Sequence, residues 1–331
     1  MATKLPLVMP PSATYQGAAF ILGIILATPN IANEYYNNYI DLVCNNTEQM
    51  NELELEFARV TWEDFRLNGI AEMNLFHLKN IERDKFIGFI NERIDQNNYI
   101  LLYEIDEYYL SYSEYYHKDH FIHDTYIYGY DADSFYIMAY KEKKLTMQEV
   151  AKDEIVEGIY SYYNFGHDES FCTFRPCHSV AKAIDTNKII SSIKEYLGSK
   201  KERCDEKVYG LETYGVIQKC ILNIYKNSKD DVCEELDIRV MRLLWEHKKV
   251  LNDHIQKLQE YIKTNNKITE KFVDLENISH DIFLMAIKYN LTHRKRILKT
   301  IIEALDILKD REKEYLLQVV QTYNNTLAHD V

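Results

Sequence analysis

The sequence predicts an α+β fold over residues 1–180, followed by a helical domain over 181–331. Two observations carry this. Runs of β-forming residues cluster between residues 99 and 140, and from Asp185 onward the apolar spacing is helical almost throughout, with Gly and Pro nearly absent. With 331 residues, 46% apolar and 27% charged, the chain is long and apolar enough to pack a core in each part.

Gln16–Leu26 reads as a buried helix, entered after Pro10-Pro11-Ser12 and stopped before Pro29. Asn33–Cys44 reads as a second helix, with Tyr36, Tyr39, Ile40 and Val43 at helical spacing. In Glu82–Asn97, Phe86, Phe89, Ile90 and Ile94 form an apolar stripe opposite Arg83, Asp84, Glu92 and Arg93. Tyr99–Asp106, His123–Tyr130 and Phe135–Tyr140 are expected as strands of one antiparallel sheet, the last two joined by a turn at Asp131–Ser134. Thr146 with Glu149 has the spacing of a capping box and predicts a short helix. Leu236–Ile262, Ser279–Asn290 and Leu291–Val320 are long amphipathic stretches. No internal repeat or low-complexity linker interrupts the chain, and the domain boundary falls near Cys177–Asp185.

A net charge of −13 argues against nucleic acid and anionic lipid as partners, because binding them requires Lys and Arg to neutralise phosphates. Six cysteines spread over so long a chain are expected as free thiols; secreted disulfide scaffolds are far denser. Cys172-x4-Cys177-His178 would need a second ligand pair to hold zinc, and none stands nearby. His117, His120 and His123 would diverge on a strand or a helix, so neither a metal nor any other cofactor is expected. Leu5–Asn33 is uncharged, but its apolar run is shorter than the roughly 20 residues that span a bilayer. The lone Lys4, Pro10, Pro11 and Pro29 also suit a buried helix better than a secretion signal. A cytoplasmic bacterial protein without a membrane span is therefore expected.

The most distinctive stretch runs from Asp106 to Tyr140. It holds Asp106-Glu-Tyr-Tyr-Leu110, then His120-Phe-Ile-His123-Asp, then Tyr128-Gly-Tyr-Asp131. With Asn38-Tyr-Ile-Asp-Leu42, it resembles the family of the N-terminal domain of butirosin biosynthesis protein H, and Asp237-Ile-Arg239 and Glu246-His247-Lys248 resemble the helical extension of related clostridial proteins. That family is distantly similar to bacteriocin-processing cysteine peptidases of papain-like fold. It includes acyltransferases of nonribosomal-peptide-type assembly, and a related papain-like enzyme forms amide bonds in closthioamide assembly.

The resemblance implies a papain-like domain in which a helix-borne Cys faces His123, the base, with a third group on the next strand orienting the imidazole. It implies transfer of an acyl group from an acyl or peptidyl carrier protein to a small amine or peptide. It requires residues 16–19 and His123 to face each other across one cleft.

This chain departs from the pattern. Gln16 stands where the nucleophile aligns; read instead as the oxyanion-stabilising Gln, it leaves only Leu22, Gly23 and their neighbours for the nucleophile. Met138 and Ala139 stand where the orienting residue belongs, so Asp106 or Asp124 would have to serve. The candidate catalytic set is His123, Gln16 and Asp106. Tyr15, Tyr108, Tyr109 and Tyr128 are candidates for substrate binding, with Tyr112, Tyr115 and Tyr116 as further groove tyrosines. Two functions are expected: acyl transfer or amide formation by general base without a covalent cysteine intermediate, or a papain-fold binding or scaffold protein that has lost its chemistry. A protease ranks behind both, for lack of a nucleophile.

Overall fold

The computed structural model describes residues 2–163, 170–177, 183–198, 206–227, 234–262 and 268–329. The chain begins with β1 (Thr3–Lys4), α1 (Gln16–Ala27), α2 (Asn33–Asn38), β2 (Leu42–Asn45), β3 (Leu55–Phe57), α3 (Trp62–Leu67), β4 (Ala71–His77) and α4 (Phe86–Asp95). β5 (Tyr99–Asp106), β6 (Ile122–Tyr130), β7 (Ser134–Lys141), β8 (Lys144–Ala151), α5 (Lys152–Tyr163) and β9 (Ser170–Pro176) follow. The remainder is α6 (Thr186–Gly198), β10 (Lys207–Tyr209), α7 (Thr213–Asn227), α8 (Ile238–Ile262), α9 (Ile268–Thr292) and α10 (Lys295–His329). The protein is thus α+β, with a large antiparallel sheet and C-terminal helices.

Two compact units form, each discontinuous in the chain: Met1–Asn33 with Thr61–Lys182, and Glu34–Val60 with Ala183–Val331. The excursion 34–60, which the sequence alone places within 1–180, therefore packs with the later helices.

In the first unit the sheet runs β4-β9-β5-β6-β7-β8, with β1 against the end of β6. All its pairings are antiparallel. One face carries α1, whose apolar sequence buries Phe20 on Tyr126 in a stacked contact, centroids 5.1 Å apart, and edge-on against Tyr99. The other face carries α4 and α5, where Phe86 meets Phe171 and Tyr160 edge-on. Strand side chains alternate between faces, so the central strands β5, β6 and β7, buried along most of their length, present apolar residues on both.

The β5–β6 ladder holds one irregularity. Leu102 pairs with Thr125 but Ile105 with His123, so β5 spends three steps where β6 spends two. Glu104 in this bulge has a φ of 56°, and its N–H is taken by the Asp124 carboxylate at 3.3 Å. A bulge re-aims the strand beyond it, and here the residues beyond it are Asp106 and Glu107.

Three sequence expectations are corrected. The Thr146–Glu149 stretch is strand, not helix: β8 pairs along its whole length with β7. The helix expected over Asn33–Cys44 stops at Asn38, because Leu42–Cys44 pair with Phe57–Leu55 on one side and Cys44–Val43 with Val208–Tyr209 on the other. The helix expected from Ser279 begins at Ile268, and α10 runs on to His329.

In the second unit α8, α9 and α10 bury an apolar stripe that includes Leu244, Leu251, Phe272, Ile282, Leu298 and Leu305. Among the described residues no helix is long and apolar enough to cross a membrane.

Gly158 sets how closely α5 lies on β5. A methyl group there would stand 2.8 Å from Ile105 Cγ1 and 3.0 Å from the Asp106 carbonyl. Gly158→Ala adds up to ~1 kcal/mol of helix propensity but overpacks this contact at a cost of about 1–3 kcal/mol. A lower urea midpoint by circular dichroism is expected; an unchanged or higher midpoint would contradict the close packing.

Candidate functional site

Antiparallel pairing brings the end of β5 against the start of β6, with Asp106 opposite Ile122 and the Glu107 N–H donating to the Phe121 carbonyl at 2.8 Å. Two adjacent carboxylates thereby meet two histidines three residues apart. Asp106, 1% exposed, accepts the Tyr108 N–H on Oδ1 at 3.1 Å. Its Oδ2 lies 2.6 Å from His120 Nδ1. The His120 ring, 58% exposed, stacks on Tyr108 at 4.5 Å. A carboxylate cannot donate, so the proton in this bond sits on Nδ1, and Nε2 is the acceptor.

The second pair is looser. Glu107 Oε1 lies 3.4 Å from His123 Nδ1, and Oε2 accepts the Ser113 hydroxyl at 2.5 Å. His123 stacks on Phe121. The Glu107 carboxylate raises the His123 pKa above the ordinary imidazole value, against the opposing effect of burial. The intervening segment is tied down by the His117 N–H on the Tyr108 carbonyl and by the Ser111 N–H on Glu154 of α5.

Gln16 begins α1 and is 5% exposed. Its Nε2 donates to the backbone carbonyls of Asp124 at 3.0 Å and Met138 at 3.1 Å. Two carbonyl acceptors fix which end of the amide is nitrogen; Oε1 is buried with no hydrogen-bond partner among the described residues. Gln16 is therefore a clasp between the helix start and strands β6 and β7.

His123 does not face it. His123 is paired with Ile105, whose side chain lies against Gly158 of α5. Tyr126, three residues on, lies under Phe20 of α1. Residues three apart on a regular strand point to opposite faces, so the imidazole projects from the α5 face. The expected juxtaposition of 16–19 with the His123 side chain is corrected accordingly: α1 meets the backbone of β6 next to His123, and Asp124 shares the α1 face with Tyr126, whose hydroxyl it accepts at 2.9 Å.

The remaining candidates divide. Tyr108 and Tyr109 join the Asp106 cluster, Tyr109 accepting the Ser161 hydroxyl of α5 at 3.1 Å. Tyr15 directly precedes α1. Tyr128 is buried in β6 with its ring 6.3 Å from Tyr136, beside a register shift between Ile127 and Gly129. His120 and Glu107 were not in the candidate set; the visible signal was Asp106-Glu107 preceding His120-x2-His123.

Cys44, Cys172, Cys177 and Cys220 are free thiols. Burial raises the pKa of each, Cys44 to about 12 and Cys220 to about 11, so none is a ready thiolate. His178, Cys204 and Cys233 lie outside the described residues. Among the described residues no three His, Cys, Asp or Glu side chains are grouped to hold a metal ion.

Glu107→Gln removes the main cause of the raised His123 pKa, so NMR titration should show that pKa fall. A raised folded pKa contributes stability below the unfolded value near 6.5, lost as pH rises through the folded pKa. The variant should therefore lose stability at acidic to neutral pH and not at alkaline pH. An unmoved His123 titration would contradict the pairing. Comparison with protein-family models and with curated proteins finds no match to this chain.

Proposed function

We propose that the chain transfers an acyl group from a carrier-protein thioester to an amine by general-base catalysis, within bacterial natural-product assembly of the nonribosomal-peptide type. The observation that carries the catalytic part is the Asp106–His120 pair: a buried carboxylate on Nδ1 at 2.6 Å and an outward ring. The choice of thioester and amine rests on the sequence resemblance to the butirosin-protein-H family alone; the facing of residues 16–19 and His123 that its papain-like geometry requires is not met in this chain. His120 Nε2 takes the proton from the attacking amine as its nitrogen bonds to the thioester carbon. The C–S bond then breaks, and the carrier thiolate leaves and takes the proton from the His120 imidazolium, which returns the base to its neutral form. Asp106 orients His120 and stabilises the imidazolium that forms. This reading moves the base from His123 to His120 and keeps Asp106 in the orienting role.

A second reading is favoured by Gln16. Its amide spends both N–H groups on backbone carbonyls at the place the resemblance reserves for a nucleophile. Under that reading the chain is a papain-fold binding or scaffold protein of the same pathway, holding a carrier protein without turning it over.

One experiment separates them: purified protein mixed with acyl-loaded carrier proteins and a panel of amines, with amide product and carrier binding both measured. The general-base reading expects product, with kcat about 10²-fold or more lower in His120→Gln and KM little changed. Asp106→Asn should lower kcat less, and His123→Gln should leave it within about threefold. Carrier binding without product would favour the scaffold; product that persists in His120→Gln would remove His120 as the base.

A further inference from the structure

The second unit buries a charged cluster that the proposed chemistry does not use. Lys248, His247 and Glu312 are each 0% exposed. Lys248 Nζ donates to Glu312 Oε1 at 2.5 Å and to His247 Nδ1 at 2.8 Å. Glu312 also accepts the hydroxyls of Tyr214 at 2.5 Å and Tyr196 at 3.2 Å. An ammonium group only donates, so His247 Nδ1 offers its lone pair and the ring proton sits on Nε2. That Nε2–H donates to the Ile40 carbonyl at 2.7 Å. The relay from α10 through α8 thus ends on the backbone of the 34–60 excursion.

The geometry points to His247 as a proton-sensitive latch that holds the excursion to the helical unit only while its ring is neutral. A proton on Nδ1 would set an N–H against the Lys248 ammonium at 2.8 Å, and one of the two must withdraw. It would also add a positive charge to a buried site where Glu312 already balances Lys248. Burial, then the Lys248 charge, lowers the His247 pKa well below its ordinary value. The sign follows: a depressed folded pKa gives stability that is present above the unfolded value near 6.5 and lost as pH falls below it.

The other titratable groups near the latch divide by sign. His254, on the same helix, is bonded to the carbonyls of Tyr35 at 2.9 Å and Val250 at 2.7 Å, and burial lowers its pKa to about 4, the same sign as His247, so only the difference between wild type and a His247 variant reports the latch. Asp41, beside Ile40, has its pKa raised to about 6 by burial; its titration favours the folded form as pH falls, opposite in sign. Tyr196 and Tyr214 are raised by burial and stay protonated.

Hydrogen exchange of the full chain, as protection factors for peptides covering 34–45, tests this at about pH 7 and about pH 5. Wild type should lose at least about tenfold in protection on acidification. His247→Gln supplies an uncharged donor and acceptor and should lose at least about threefold less protection than wild type, the remaining loss being that of His254. Unchanged wild-type protection, or an equal loss in the variant, would overturn the latch. If the variant does not fold, NMR of the wild-type His247 ring decides: the Nε2–H neutral form should persist until protection is lost, and an imidazolium signal with protection intact would overturn the proposal.

Discussion

The pairing of β5 with β6, with its one bulge, is the constraint on which the candidate site depends. Glu104 adopts a positive φ in the bulge, and Asp124 takes its N–H. Beyond it the ladder resumes for two pairs and stops, leaving Asp106 and Glu107 at the point where the chain turns away. The return strand enters at Ile122, so His120 and His123 arrive beside those carboxylates as a consequence of register. Asp106 is deeply buried yet has its Oδ1 satisfied by a backbone N–H and its Oδ2 by an imidazole, which is how a carboxylate can be taken out of water without losing its hydrogen bonds.

The same strand explains why the site does not lie where a helix-borne nucleophile would need it. Alternation puts His123 and Thr125 on the α5 face, with the Tyr112 hydroxyl 3.3 Å from Thr125 Oγ1. It puts Asp124 and Tyr126 on the α1 face. Gln16 uses only backbone carbonyls of β6 and β7, a bond set that fastens α1 without calling on any side chain of the sheet. A thiol at that position would find the Asp124 carboxylate on its face of the strand, an anion that disfavours a thiolate.

Much of this was legible in the sequence where the signal is local. Tyr99–Asp106, the β6–β7 hairpin and α1 follow from alternation, turn residues and a proline-bounded apolar run. What was not legible depended on partners distant in the chain. Leu42–Cys44 carries helical spacing with its neighbours, but its strand partners are Leu55–Phe57 and, beyond 160 residues, Lys207–Tyr209. Thr146 and Glu149 match a capping box, yet β7 claims the segment as an edge strand. At the site, the histidine at the strand start drew attention to His123, whereas the tighter carboxylate contact belongs to His120, outside the strand and 14 residues from Asp106. A single extra residue in β5 decides that partnership, and no local pattern announces it.

Asp106 orients His120 through Nδ1 and leaves Nε2 as the acceptor. The most direct measurement is imidazole nitrogen and proton NMR of the full chain at a pH where His120 is neutral. The His120 ring should carry its proton on Nδ1, hydrogen-bonded and shifted downfield, and that signal should be lost in Asp106→Asn. A His120 ring in the ordinary Nε2–H form, insensitive to Asp106→Asn, would contradict it.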